Sequence, residues 1–456
     1  MKFGIFYEHQ LPRPWSDGEE LKLFQDALDQ VELADKLGIE YAWEVEHHFL
    51  EEYSHSSCPE VFLAAASQRT KNIRLGHGIK LMPPGYNSPA RIAEEIATLD
   101  LVSNGRVEFG TGESASRAEL EGFNINPGER RAMWRETVEQ VCNMLAMDPY
   151  PGFQGKYFSM PVRNIVPKPV QKPHPPLWVA CSNRDSIHLA AQLGIGALTF
   201  AFVDPEEARH WVTDYYETFK NECVPIGHTV NPNVAMVTSF SCHRDAEEAF
   251  RRGFDGFKFF QFGLGHHYAF GSHKPGRTDI WKQYEAVKAA MGAEALDFLG
   301  GGGEGIGTPD QLRKHLRKFA DAGVDQTVFI QQGGKNKHEH ICDSLELFSK
   351  EVQPEFKAEI EAREKRKAEE LAPYIEKAFQ RKQWMKELTD DEIPAYPAYG
   401  AMVAQIDPST LDETARTRAE RWARMRAVLK EMEEEERAGA RLSPAAAPGL
   451  RQRGPG

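Results

Sequence analysis

Leu37-Gly38-Ile39-Glu40-Tyr41-Ala42-Trp43-Glu44-Val45-Glu46-His47-His48-Phe49 is the stretch that decides the fold. Leu37 closes an apolar series at helical spacing that includes Leu21, Phe24, Leu28 and Val31, and Gly38 is the residue type that ends a helix. Tyr41 to Val45 then reads as a buried strand. A carboxylate and two imidazoles leave that strand together, which core packing does not ask for. Helix, tight turn, strand and polar exit make up the repeating unit of an α/β barrel, whose chemistry sits where strands end.

The same unit recurs outward from this stretch. Upstream, Lys2 to Phe6 reads as strand one, and Ser16 with Glu19 can form a capping box for the helix. Downstream, Pro59 opens a helix to about Gln68, Ile73 to Leu81 reads as strand three, and Pro89 opens a helix bearing Ile92, Ile96 and Leu99. Ser103-Asn104-Gly105 turns into strand four, Arg106 to Gly110. Further strands are expected at Leu177–Cys181, Ala197–Phe200, Asn233–Cys242 and Val324–Gln331, with helices between them. Eight strands alternating with helices predict a (β/α)8 TIM barrel, an α/β fold, over residues 1–355.

Two regions break the period. Phe257 to Gly307, with Gly263, Gly265 and a glycine run at 300–303, is expected to be an insertion loop that shapes or covers a site. Residues 356–456 are expected to form a charged helical C-terminal extension, partly disordered from Ala438 onward.

Composition narrows the function classes. With 41% hydrophobic and 27% charged residues the chain resembles a soluble enzyme, and a net charge of −13 disfavours nucleic acid and anionic membrane as partners. No apolar run is long enough to span a bilayer, and the first residues lack a signal-peptide pattern, so a cytoplasmic location is expected. Six cysteines without a CxxC pair argue against a disulfide framework and a structural zinc site.

Several clusters could carry chemistry. Glu46-His47-His48 can supply an acid or base at the barrel mouth, or a strand-end histidine bonded to a loop. Gly110-Thr111-Gly112-Glu113-Ser114 allows a ligand to approach the backbone, or is a tight βα turn. Ser182-Asn183-Arg184-Asp185-Ser186 opens a helix and suits a phosphate, or is ordinary capping by Ser182 or Asp185. Gln331-Gln332-Gly333-Gly334 either lines the pocket or forms a plain turn. His266-His267-Tyr268 and His338-Glu339-His340 invite a metal, but loop histidines are more often solvated, and no metal is expected.

Taken in order, the motifs resemble the bacterial luciferase-like monooxygenase family, a flavin-dependent group of TIM barrels. The matching pieces are Met1 to Gly4, Trp43 with Glu46-His47-His48-Phe49, Leu75 to Ile79 leading to Leu81-Met82-Pro83, Ser103 to Arg106, Phe109-Gly110 with Gly112, Pro176 to Ser182, and Ser344 to Phe348. The resemblance implies reduced FMN and dioxygen, with one oxygen atom inserted into a small organic substrate. It gives His47 the catalytic role, with Glu46 orienting it and Trp43 near the cofactor. It places Gly78-Ile79 against the flavin ring through a non-prolyl cis peptide, and Ser182, Arg184 and Ser186 at the flavin phosphate. Gly112 and Glu113 stand where luciferase has a reactive cysteine and a phosphate-binding arginine. Either Arg184 or backbone amides compensate for Glu113, or Glu113 points elsewhere. A separate flavin reductase and a homodimer or higher homo-oligomer are implied as well. The alternatives are a deazaflavin-dependent oxidoreductase of the same fold and a non-catalytic barrel subunit.

Overall fold

Eight parallel strands close on themselves: β1 (Lys2–Tyr7), β2 (Tyr41–Glu44), β3 (Arg74–His77), β4 (Val107–Gly112), β5 (Leu177–Cys181), β6 (Gly196–Thr199), β7 (Val234–Thr238) and β8 (Gln326–Ile330). β1 pairs with β8, Gly4 opposite Val328, and β3 pairs with β4, Leu75 opposite Val107, so the ring leaves no free edge. The computed structural model describes residues 1–200, 202–292, 303–398 and 411–442.

Strand periodicity explains the layers. In β1, Phe3, Ile5 and Tyr7 belong to the large cluster between strands and helices, whereas Phe6 belongs to the barrel interior with Tyr41, Trp43, Trp178, Ala235, Val237, Val328 and Ile330. Trp43 and Trp178 meet edge to face at 5.3 Å. Gly4 makes room for them, since a Cβ there would lie 3.2 Å from Trp43 Nε1. The interior also holds Glu108 of β4, which pairs with Arg74 and accepts a 2.6 Å hydrogen bond from Trp178 Nε1.

β3 is shorter than the expected Ile73 to Leu81. It stops at His77, and Lys80–Leu81 pairs separately with the end of β4. At the break the two strands pass closely: a Cβ on Gly110 would lie 1.8 Å from the His77 carbonyl oxygen. Gly110→Ala is therefore expected to cost about 3 kcal/mol, because backbone must move to accept the methyl group. A urea unfolding curve indistinguishable from that of the unaltered protein would refute this packing.

β7 likewise ends at Thr238, and Ser241–Cys242 leaves the barrel to pair with Ile306–Gly307. The expected insertion loop is largely helical. Ala246–Gly265 is one helix, His266–Phe270 continues it as a π-turn, and Ile280–Met291 is another helix. Glycines mark tight packing here: Cβ atoms would come 2.3 Å from Gly333 O at Gly256 and 2.9 Å from Tyr53 Cδ2 at Gly263. Of the glycine run at 300–303, residues 300–302 lie outside the described residues.

Two compact units divide the chain, Met1–Thr389 and Asp390–Gly456. The helix Gln353–Arg381 belongs to the first, burying Phe356, Leu371 and Ala378 in the large cluster. Phe356 packs edge-on against Phe3 at 5.4 Å, Lys2 pairs with Glu364 and Lys367 with Asp325. The boundary expected at residue 355 thus falls inside a continuous packing layer. The second unit contains the helix Glu413–Leu442. The disorder expected from Ala438 concerns the end of that helix and residues 443–456, which lie outside the described residues. No helix among the described residues is long and apolar enough to cross a membrane.

Candidate active site

A cavity of about 280 Å³ opens at the carboxyl ends of the strands. Its wall includes Glu8 after β1, Val45 and His47 after β2, Gly78 and Ile79 after β3, Gly112 to Ala115 at the end of β4, and Cys181 to Asn183 with Ser186 around the end of β5. Tyr53, Phe200, Phe260, Leu264 and Tyr268 add apolar surface.

His47 is the ionisable centre. Its Nδ1–H donates to Glu119 Oε1 at 3.0 Å, and its Nε2 lies 3.7 Å from Glu8 Oε2. Burial opposes the charged ring, but Glu119 and Glu8 outweigh it and lift its pKa to about 9. At neutral pH the charged ring is therefore the favoured form. Against burial, Glu119 is held below the usual carboxylate range by His47, by Ser114 Oγ–H at 2.5 Å and by the His48 backbone N–H at 2.9 Å. Burial pushes Glu8 up to about 7, against the pull of His47 and of the Tyr53 hydroxyl donating at 3.1 Å.

The sequence did not single out Glu8 or Glu119. Glu8, a charge directly after β1, carried a usable signal, whereas Glu119 sits in the short helix Arg117–Gly122 and meets His47 only through folding.

The predicted residues separate into those at the cavity and those elsewhere. Glu46 does not orient His47: its carboxylate accepts from Leu81 N–H at 2.6 Å and Asn87 Nδ2 at 2.9 Å, with His48 Nε2 at 3.3 Å. It fixes the chain where β3 breaks. His48 stacks edge-on against Phe123 and serves the same structural corner. Trp43 is fully buried in the barrel interior and is not part of the cavity wall, because β2 turns its side chain inward toward Trp178. Gln331 and Gln332 bond backbone and His9 instead of lining the cavity.

Gly78 and Ile79 are at the wall, joined by a trans bond; the cis peptides among the described residues all precede proline. The expected cis bond is therefore absent. Gly112 is demanded by Ile79, whose Cδ1 would sit 2.4 Å from an added Cβ. The result is bare backbone along one side of the cavity.

Ser182, Asn183 and Ser186 are on the wall as well. Asn183, not Ser182 or Asp185, caps the helix Arg184–Gln192 by accepting from Ser186 N–H at 3.0 Å. Arg184 turns outward to pair with Asp214 and does not reach the cavity. The cations there are Arg130 and Arg131, in the first turn of the helix Arg130–Ala146. Glu113 points toward them, with Arg131 Nη2 at 2.7 Å and Arg130 Nε at 3.8 Å. Two arginines against one carboxylate leave this end net positive, and two helix N-termini add to that field.

Of the two histidine clusters, His266 and His267 are not solvated loop residues. They end a helix, and His273 folds back against them. His338 lies 3.1 Å from Gln30 Nε2.

A sequence model of the family described as "Luciferase-like monooxygenase" matches residues 1–326. The oxygenase component of a flavin-dependent trigonelline monooxygenase from Acinetobacter baylyi is 28% identical over 196 residues, covering 42% of this chain and 52% of that protein. The chain spans about half to three-fifths of the length of the curated relatives it matches. Among solved structures, monooxygenase RslO1 from Streptomyces bottropensis superposes with a TM-score of 0.62 at 26% identity, over 78% of this chain and all of that one. An F420-dependent secondary alcohol dehydrogenase shares the fold, with a TM-score of 0.59 at 19% identity over 77% of this chain and 98% of the other.

Proposed function

The chain belongs to the luciferase-like monooxygenase family, and on that premise we propose that it is the oxygenase component of a two-component flavin-dependent monooxygenase. It would take reduced FMN from a separate reductase and transfer one oxygen atom of dioxygen to a small organic substrate. The observation that carries this reading is His47, set between Glu119 and Glu8 on the wall of a mouth cavity.

The residues present fit the cofactor. Bare backbone at Gly78 and Gly112 with the Ile79 side chain offers a flat face for an isoalloxazine ring. Ser182, Asn183, Ser186, Arg130 and Arg131 form a hydroxyl-rich, cationic end suited to a phosphate. Bound reduced flavin would supply the electrons for oxygen activation. The protein's own part is the rest. Glu119 fixes the His47 ring through Nδ1, which leaves the Nε2 proton near the cavity for delivery to developing negative charge. Tyr53, Phe200, Phe260, Leu264 and Tyr268 exclude water from that proton's surroundings. A role for Glu46 in this chemistry is indirect, through the position of Leu81.

Anaerobic titration tests the cofactor. Reduced FMN is expected to bind tightly and a deazaflavin weakly; the reverse order would favour hydride transfer by a deazaflavin enzyme. Arg131→Gln is expected to weaken FMN about tenfold, the loss of one charge-assisted contact, while leaving riboflavin unchanged. Equal weakening of both ligands would move the phosphate away from Arg131. Turnover by the purified chain supplied with reduced FMN would dispose of a non-catalytic subunit.

A further inference from the structure

His266, His267 and His273 bring one ring nitrogen each within 4.8 Å of one another. Their ring centroids are 5.1, 5.2 and 5.8 Å apart. His266 is 3% exposed, and neither its ring nitrogens nor those of His273 meet a partner in strict hydrogen-bonding geometry, although the Gln283 side chain stands beside the first ring and Glu51 beside the second. A buried imidazole left in that state costs free energy unless something binds it.

The other two rings are held from behind. His267 Nε2 lies 3.0 Å from the Leu50 carbonyl oxygen, and His273 Nε2 lies 3.1 Å from Glu51 Oε1. Glu51 is itself fixed by Arg13 at 2.7 Å and the Gly276 N–H at 2.7 Å. A carbonyl and a carboxylate on the far nitrogen are the outer-shell partners that set the tautomer of metal-binding histidines, leaving Nδ1 free to coordinate.

We propose that these three imidazoles form a binding site for a borderline divalent transition metal of the zinc class. Three neutral nitrogens suit such an ion, with water completing a tetrahedron. Tetrahedral zinc at about 2.05 Å from each ligand needs nitrogens roughly 3.3 Å apart, so nitrogens up to 4.8 Å apart close by as much as about 1.5 Å when it binds. The ion would pin the turn His266–Phe270 to the Leu50–Glu51 segment. Tyr268 lies within that turn and on the cavity wall, and Tyr53 lies 5.9 Å from the His47 ring and 6.0 Å from that of His267. The metal would therefore brace one side of the cavity without touching what binds there.

The test uses the full chain, free of any affinity tag, stripped with chelator and titrated with Zn²⁺ against a chromogenic chelator. One equivalent per chain is expected, with Kd at or below about 1 μM. His266→Gln and His273→Gln should each weaken it at least about 100-fold, judged against circular dichroism for retained fold. His340→Gln should leave it unchanged. Titration of the unaltered chain with Co²⁺ should give the intense visible bands of a tetrahedral nitrogen-ligated ion, a readout that needs no variant to fold. No saturable equivalent, unchanged affinity in folded His266→Gln and His273→Gln, or octahedral Co²⁺ bands would each overturn the site.

Discussion

His47→Ala is expected to lower the rate of product formation with reduced FMN by roughly 10² to 10⁴-fold, the range for a lost proton donor in the transition state. Binding of reduced FMN should change far less, because His47 contributes one ring to a wall made mostly of backbone and apolar groups. The electrons would then end as hydrogen peroxide. Product and peroxide yields, measured together at fixed flavin, separate the two fates. A variant that keeps full coupling of flavin oxidation to product would remove His47 from its assigned role.

Glu119→Gln is expected to change how stability depends on pH. The folded His47 pKa, about 9, lies above its ordinary value of 6.5. Its contribution is fully present below pH 6.5 and fades as pH rises through about 9. At about 1.4 kcal/mol per pH unit this amounts to on the order of 3 kcal/mol. Glu119 is displaced the other way, so its own contribution is present above its ordinary pKa of 4.5 and fades as the medium is acidified. Removing that charge should destabilise the protein most between these limits and flatten the alkaline fall. Burial-raised Glu8 adds a further loss as pH rises through about 7, which the variant retains. Urea unfolding at pH 6.5 and pH 9 decides the matter. If the variant falls as steeply as the unaltered protein, the Glu119–His47 pair does not control His47. The same variant should shift the alkaline limb of the activity profile downward, since less carboxylate remains to hold the proton.

Much of the barrel was legible because its strands are short apolar runs between turn residues. Leu177–Cys181 is found where expected, bounded by Pro176 and Ser182. The errors have physical causes. Gly263 and Gly265 read as loop punctuation, yet the helix Ala246–Gly265 continues through both, and Gly263 lets it press against Tyr53. Propensity measured on isolated helices counts a glycine as a breaker, whereas close packing can require one. β3 read as continuous because nothing in Ile73 to Leu81 signals how closely the His77 carbonyl passes Gly110 of the neighbouring strand.

The site was legible where chemistry followed chain order. His47 was found because it leaves β2 beside other polar residues. Glu46 was assigned to it as a sequence neighbour, but consecutive residues leaving a strand point to opposite sides, and Glu46 serves Leu81. Arg184 looked like the phosphate cation because it follows Ser182 and Asn183. The chain had already supplied Asp214 as its partner from the helix Pro205–Glu222. Arg130 and Arg131 arrive from a helix that begins well after β4, and only the closed barrel puts them beside Glu113.

The helix Gln353–Arg381 carries a consequence for synthesis. It is held against β1 by Phe356 on Phe3 and by Glu364 on Lys2, and against the start of β8 by Lys367 on Asp325. The seam between β1 and β8 joins residues near one end of the first compact unit to residues near its other end. On the ribosome, β1 emerges first and must wait for β8, and the helix that covers their lower ends emerges later still. Until then Phe3 and its neighbours lack the surfaces that bury them in the finished barrel.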